Sequence, residues 1–336
     1  MNIAIVGATG NVGRKIVEIL EKKEFQVENL YLLASSRSVG KKISFNGKDH
    51  TVGDLEKFDF SIVKIAFFAA GSAIAEKWAH VAAEKTIVID NSKFFRKDSD
   101  IPLIVPEVNS KQLANFKNRN IIANANCSVI PVVVALKPLH DLYNIKRIVI
   151  STYQSVSGAG KEPMDELLSQ TQDYFNNKKL ESKKFTKQIA FNAIPHIDSF
   201  LENGYTKEEQ KTTDEIKKIL DKKIKITSTC VRIPVLVSHS ISVNVEFNKK
   251  CNLDEIRKVL STSPGCKVVD EHKDGGYITP VEAEDKFETF ISRIRLDDSR
   301  ANSINMWIVS DNLLKGAALN AIQIAEALIK EDFYGQ

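Results

Sequence analysis

The stretch Asn2-Ile3-Ala4-Ile5-Val6-Gly7-Ala8-Thr9-Gly10-Asn11-Val12-Gly13 carries the reading of the fold. Ile3 to Val6 is a short apolar run with β-branched residues, which predicts a buried parallel strand. Arg14 to Lys22 sets Ile16, Val17, Ile19 and Leu20 on one helical stripe. Between strand and helix stand Gly7, Gly10 and Gly13. Glycines let a backbone turn tightly and approach phosphate oxygens, and the helix start offers unpaired N–H groups with partial positive charge. Such turns also arise for packing alone, so the loop by itself is a weak signal. Its place inside an alternating strand and helix pattern favours a dinucleotide.

That alternation runs on. Leu30 to Ala34, Lys64 to Ala70 and Thr86 to Asp90 predict strands, with a helix over Ala73 to Glu84. Strand, helix, strand implies an α/β fold with a Rossmann-type, doubly wound parallel sheet. A carboxylate at the end of the second strand selects NAD by holding the ribose 2′-hydroxyl. Here that strand runs into Ser35-Ser36-Arg37-Ser38, where hydroxyls and a guanidinium suit a 2′-phosphate. NADP(H) is the expected cofactor.

A chain of 336 residues exceeds what one hydrophobic core usually organises, which predicts two domains. Hydrophobic content of 43% against 27% charged residues is that of a water-soluble globular protein. The net charge of +4 is mild, and lysine pairs such as Lys178-Lys179 and Lys222-Lys223 are interspersed with acids. No nucleic-acid partner is expected, since phosphate backbones need clustered, uncompensated charge. The start lacks a signal-peptide pattern and no apolar run reaches membrane-spanning length, so no membrane partner and a cytoplasmic location are expected. Cys127, Cys230, Cys251 and Cys266 are irregularly spaced, without a C-x-x-C pair or Cys/His cluster. No metal is expected, and the thiols are expected to be reduced.

Beyond Cys127 the texture changes. Val129 to Leu139 reads as an apolar helix, and Thr206 to Asp221 as a charged amphipathic one. Lys146 to Gln154 and Val237 to Phe247 alternate as half-buried antiparallel strands do. Residues 129–310 therefore read as an α+β domain, and Leu313 to Ile329 as an Ala-rich helix able to return to the first domain.

Cys127 stands just before the Val129 helix, within Asn124-Ala125-Asn126-Cys127-Ser128. A helix N-terminus favours a thiolate, hence a nucleophile near neutral pH. A lone cysteine is more often an inert core residue, and its neighbours change that balance. Asn126-Cys127-Ser128 with Ala135-Leu136-Lys137-Pro138-Leu139 resembles the active-site segment of aspartate-semialdehyde dehydrogenases. Similar to that family, in order along nearly the whole chain, are Gly7 to Gly13, Ala34 to Lys41, Asp90-Asn91-Ser92, Phe95-Arg96, Val105 to Asn109, Tyr153 to Gly160, Ile194 to Asp198, Glu208 to Lys211, Val231 to Val235, His239-Ser240 and Asp311 to Ala318.

The resemblance implies a Rossmann-type domain at 1–127 with 312–336, and an α+β catalytic and dimerisation domain at 128–311, as in glyceraldehyde-3-phosphate-dehydrogenase-like enzymes. It implies reduction of L-aspartyl-4-phosphate by NADPH to L-aspartate-4-semialdehyde and phosphate, through a Cys127 thioester, in the biosynthesis of lysine, methionine, threonine and isoleucine. The thioester accepts hydride far better than a carboxylate does. By the same resemblance His239 is the general acid/base, taking the thiol proton and later exchanging one with the thiohemiacetal oxygen, and Gln154 orients the substrate near Cys127; the thioester oxyanion needs N–H donors, which Asn126 or the Cys127 backbone can supply. Arg96 and Lys211 take the phosphate, Arg232 the α-carboxylate and Glu208 the α-ammonium. Gly7, Thr9, Gly10, Asn11, Val12, Ser36, Arg37 and Ser38 hold the cofactor, with Ser157, Gly158 and Asn312 at its nicotinamide end. A homodimer, or a tetramer, is implied. His50, His80, His140, His196 and His272 read as structural.

Ala125, Pro131, Gln210 and Ser238 depart from the family pattern, Ser238 standing where glycine is common. None removes a reacting group. An N-acetyl-γ-glutamyl-phosphate reductase shares the thioester logic, but its acetylated amine leaves Glu208 without a partner. A non-catalytic nucleotide-binding paralogue is expected to lose Cys127 or His239, and this chain keeps both.

Overall fold

The structure is a computed structural model that describes residues 1–331. The chain divides into two compact units, one of Met1–Ala125 with the segment from Ala317, the other Asn126–Gly316.

In the first unit the strand Asn2–Val6 leads into the helix Asn11–Lys22, which buries Gly13, Ile16, Val17, Ile19 and Leu20. Seven parallel strands form its sheet, in the order Gly53–Asp54, Asn29–Ala34, Asn2–Val6, Ile65–Phe68, Ile87–Asp90, Ile121–Asn124, Leu103–Ile104. The expected strands are present: Asn2–Val6 and Asn29–Ala34 begin one residue earlier than expected, Ile87–Asp90 begins one later, and Ile65–Phe68 is shorter at both ends. Gly7 adopts φ +87°, open to glycine at little cost. A Cβ on Gly13 would lie 2.2 Å from the Gly7 carbonyl oxygen, so only a glycine lets this helix approach the strand so closely. At the ends of two strands, buried amides crosslink the unit: Asn320 Nδ2 donates to Asn124 Oδ1 and to the Ile104 carbonyl, and Asn124 Nδ2 donates to Asn91 Oδ1 and to the Ala317 carbonyl.

The second unit carries a six-stranded sheet in the order Lys225–Arg232, Ile145–Gln154, His239–Phe247, Ser303–Ser310, Thr289–Leu296, Cys266–Val268. The Ile145–Gln154 strand corrects the antiparallel expectation on one side. It is antiparallel to His239–Phe247 but parallel to Lys225–Arg232. The chain between those parallel strands contains the helix Lys207–Ile219, and a helical crossover of this kind brings the next strand back in the same direction. Its N-terminus is a capping box, with Thr206 and Glu209 each satisfying the other's backbone N–H.

The expected C-terminal helix is two pieces. Leu314–Ala318 is a π-helical turn and Leu319–Lys330 an α-helix. The Gly316 N–H reaches the carbonyl of Asp311, five residues back, and the Asp311 carboxylate accepts from the N–H groups of Leu313 and Leu314. Among the described residues no helix is long and apolar enough to cross a membrane.

Candidate active site

Sheet register assembles the site. In the second unit Gln154 pairs with Arg232 at the ends of two parallel strands, and His239, at the start of the next strand, pairs with Ser310 at the end of another. Four strand ends thus meet at one end of the sheet, presenting Gln154, Arg232 and His239, with Asp311 and Asn312 following Ser310.

Cys127 Sγ lies 3.3 Å from His239 Nε2. The thiol is partly exposed, whereas the imidazole is fully buried. Cys127 precedes the helix Val129–Tyr143, as expected. Pro131, in the first turn of that helix, removes an N–H that has no intrahelical partner there. Asn126 is fixed at every polar group. Its N–H donates to Glu215 at 2.7 Å, its Nδ2 donates to Glu208 at 2.9 Å, and its Oδ1 accepts the Ser128 N–H at 2.8 Å. Its carbonyl accepts from Val129 and Ile130. Asn126 therefore holds the cysteine loop through its backbone N–H and one hydrogen of its side-chain amide. On the other side, a Cβ on Gly316 would lie 3.0 Å from Cys127 Cβ.

The surroundings of His239 define its protonation. Nδ1 accepts the backbone N–H of Ser155 at 3.1 Å, with the Ser155 hydroxyl also 3.1 Å away. An amide N–H can only donate, so Nδ1 presents a lone pair and the proton of the neutral ring is on Nε2, facing Cys127. Burial, and next the positive charge of Arg232, push the His239 pKa down to about 3. Arg232 is buried as well, and its Nη1 donates to the Ser155 carbonyl at 2.6 Å. Burial pulls its guanidinium below the ordinary arginine value, opposed by the negative charges Cys127 and Glu208 can carry. Gly158 makes room for both groups: a Cβ there would lie 3.3 Å from the imidazole and 3.4 Å from Arg232 Nη1.

Asn312 and Ser157 form a buried network with Ser155. Asn312 Oδ1 accepts from the Ser238 N–H and the Ser155 hydroxyl, and its Nδ2 donates to Ser157 Oγ. Ser238 has φ +73°, which explains why glycine suits that position. Gln154 is buried, with its amide donating to Thr152 Oγ1 at 3.3 Å.

Glu208 bridges two residues, accepting from Asn126 and pairing with Lys211 at 2.7 Å, and Lys211 also pairs with Asp198 at 3.0 Å. Burial works against the Lys211 charge, but the two carboxylates outweigh it and hold its pKa above the ordinary value. Gln210 sits one turn from Asp214 and bonds it at 2.7 Å. Two of the other cysteines are unsuited to chemistry. Burial pushes the Cys230 thiol up to about 12 and raises that of Cys251. Among the described residues no cluster of His, Cys, Asp or Glu is arranged to hold a metal.

The remaining predicted residues belong to the first unit. Gly7, Thr9 and Gly10 line a cavity of about 530 Å³ with Ala34, Ser35 and Ser36. Asn11 and Val12 open the following helix. Ser36–Ser38 is a 3₁₀ turn with Arg37 exposed, and Thr9 Oγ1 lies 3.5 Å from Ser38 Oγ. This concave, glycine-floored space at the carboxyl ends of parallel strands fits a dinucleotide. The same cavity is lined by Asp54 and Glu56. Asp54 comes from the edge strand paired with Ala34, so no reading of the second strand alone could find it. Arg96 is buried and donates from Nη2 to the Asn91 carbonyl at 3.0 Å.

Ser155, Glu215 and Asp198 also escaped sequence reasoning. Glu215 had a signal: with Glu208 and Thr212 it is spaced i, i+4, i+7 on the face that carries Ile216 and Ile219, an odd place for a carboxylate.

Residues 2–116 match the semialdehyde dehydrogenase NAD binding domain, and residues 136–315 the semialdehyde dehydrogenase dimerisation domain. The chain belongs to the semialdehyde dehydrogenase family. Within it, the chain is 48% identical to the aspartate-semialdehyde dehydrogenase of Rickettsia bellii over 98% of both chains. It is 49% identical to that of Aquifex aeolicus, again over 98% of each. The crystal structure of aspartate semialdehyde dehydrogenase II from Vibrio cholerae, complexed with ASA, matches with a TM-score of 0.96 at 48% identity over 98% of each chain.

Proposed function

We propose that the chain is an NADPH-dependent aspartate-semialdehyde dehydrogenase. It reduces L-aspartyl-4-phosphate to L-aspartate-4-semialdehyde and releases phosphate, in the route to lysine, methionine, threonine and isoleucine. The observation that carries this is the 3.3 Å contact between Cys127 Sγ and His239 Nε2, beside the buried Arg232 guanidinium. A nucleophile, a general acid/base, assigned to His239, and a carboxylate clamp are the three things the reaction needs.

Cys127 attacks the acyl phosphate, forming the S–C bond as the C–O bond to phosphate breaks. Arg232 is assigned the α-carboxylate, Glu208 the α-ammonium, and Arg96 with Lys211 the phosphate. Gln154 orients the substrate, and Asn126 fixes the loop that carries Cys127. Gly7, Thr9, Gly10, Asn11 and Val12, with Ser36, Arg37 and Ser38 at the 2′-phosphate, are assigned to NADPH, which supplies a hydride when bound. Ser157, Gly158 and Asn312 are assigned to its nicotinamide end. The working form is a homodimer, or a tetramer in its place, in the cytoplasm.

The test is turnover of aspartate semialdehyde with NADP and phosphate, beside N-acetyl-glutamate semialdehyde. Preference for the acetylated substrate would assign the chain to the sister reductase, and no turnover of either would remove the enzymatic reading.

A further inference from the structure

Lys211 stands between two carboxylates. Its Nζ lies 2.7 Å from Glu208 Oε2 and 3.0 Å from Asp198 Oδ2. Glu208 is three residues earlier on the Lys207–Ile219 helix, a spacing at which side chains meet. Asp198 comes from the segment before the helix, and that segment is anchored at both ends. Ile194 and Arg232 exchange two backbone hydrogen bonds, of 2.9 and 2.8 Å. At the other end the Lys207 N–H donates to the Ser199 carbonyl at 2.8 Å. Between these anchors Asp198 holds φ +67°, which aspartate tolerates better than most residues. Its Oδ1 accepts the Ser199 N–H at 2.9 Å while Oδ2 accepts from Lys211, so the carboxylate is fixed by the chain that carries it.

Two carboxylates on one ammonium leave one negative charge in excess. The side chains of Glu208, Lys211 and Asp198 are only 8, 15 and 24% exposed, so their charges act more strongly than they would in bulk water. Arg232 also feels the Glu208 charge, but its own is answered by the α-carboxylate assigned to it. A cation arriving at Glu208 meets the opposite sign. A phosphate arriving at Lys211 meets an ammonium whose charge Glu208 and Asp198 already offset. Without Asp198, Glu208 and Lys211 would cancel, and the cluster would neither draw the one nor oppose the other.

We propose that Asp198 is a positioning residue that holds Lys211 and keeps the Glu208–Lys211 pair net negative, so that the pair selects the substrate's α-ammonium and binds phosphate only weakly. The ligand groups at Glu208 and Lys211 come from the reading under Proposed function, on which this rests. Weak retention of phosphate suits a group that leaves as product in the reductive direction. A purely structural Asp198, clamping its loop through Lys211, would act differently: its loss would weaken both ligands together.

The test is steady-state turnover of aspartate semialdehyde with NADP and phosphate by the full-length Asp198→Asn enzyme. The KM for aspartate semialdehyde should rise about tenfold and that for phosphate fall about threefold. Asp198→Glu, which keeps the charge, should return both toward the wild type. A second measurement needs no turnover: calorimetric titration with L-2-aminobutyrate and with L-2-hydroxybutyrate, which share the α-carboxylate and differ in the ammonium. The wild type should prefer the amine, and Asp198→Asn should lose about tenfold of that preference. A rise in both KM values, no change in either, or an amine preference that is absent from the wild type or unaltered in the variant overturns the proposal. A wild type that turns over aspartate semialdehyde while giving any of these results keeps its proposed function and loses only the role of Asp198.

Discussion

Arg232 and His239 are joined through the backbone of one residue. Ser155 gives its carbonyl to Arg232 Nη1 at 2.6 Å and its N–H to His239 Nδ1 at 3.1 Å. A group that settles on the guanidinium therefore pulls on the segment that aims the imidazole at Cys127. Arg232→Lys keeps a positive charge but loses both the planar fork and its reach to Ser155. The expected outcome in steady-state kinetics with aspartate semialdehyde is a fall of about a hundredfold in kcat/KM, with kcat reduced as well as KM raised. Unchanged kinetics would remove Arg232 from the substrate site.

Cys127→Ser should retain the fold by circular dichroism and lose turnover by about a thousandfold or more, since a hydroxyl without a strong base is a poor nucleophile. In the wild type, iodoacetamide followed by peptide mass spectrometry should mark Cys127 first. Cys230, its thiol raised to about 12 by burial, should be last. Preferential labelling of Cys230 or Cys251, or an active serine variant, contradicts the thioester mechanism.

Arg37 stands exposed on the 3₁₀ turn beside a cavity that also presents Asp54 and Glu56. Arg37→Ala should weaken NADPH binding about tenfold or more by fluorescence titration and leave NADH nearly unaffected, because only the 2′-phosphate offers a charge-assisted bond. Equal losses for both cofactors would show that Arg37 does not read that phosphate. Neutralising Asp54 should act in the opposite sense on NADPH.

Ser238 holds φ +73°, and its buried hydroxyl has no hydrogen-bond partner among the described residues. Ser238→Gly relieves backbone strain and an unsatisfied polar group together, while the N–H that binds Asn312 remains. A gain of about 1 kcal/mol is expected, read as a rise in Tm of about 2–4 °C. A lower Tm would show that glycine's added freedom in the unfolded chain outweighs the strain.

His239 also predicts a pH effect on stability. Its folded pKa of about 3 lies below the ordinary 6.5, so between those values the unfolded chain binds a proton that the folded one refuses. Stability should therefore fall as pH falls through that window, and above it the contribution is complete. His239→Asn should lose part of this slope in a Tm series against pH. Identical slopes would mean that the imidazole titrates normally.

Much of the first unit was legible because its signals are local. Ile3 to Val6, the three glycines and the stripe from Ile16 to Leu20 each lie within a dozen residues. The mixed direction of the Ile145–Gln154 strand was not, since alternation records which face is buried and says nothing of a neighbour's direction. Cys127, His239 and Arg232 could be singled out by residue chemistry and family likeness. Ser155 could not: its contribution is mainly a backbone N–H and C=O, which every residue but proline carries, and only the register of Gln154 against Arg232 brings them to bear. Asp54 was hidden for a related reason, because it reaches the cofactor cavity by lateral pairing with Ala34.

The spacing of Cys127 and His239, 112 residues apart, has a consequence in time. On the ribosome the cysteine emerges on the order of ten seconds before the histidine. Arg232 too is translated long after the thiol, and Asn312 comes later than either. Under the proposed mechanism the nascent chain thus carries its sulfur through most of its synthesis as an ordinary cysteine, without the histidine, the guanidinium or the asparagine of the proposed site. Acquisition of reactivity is coupled, in that mechanism, to completion of the sheet, and a chain truncated before His239 lacks the pair altogether.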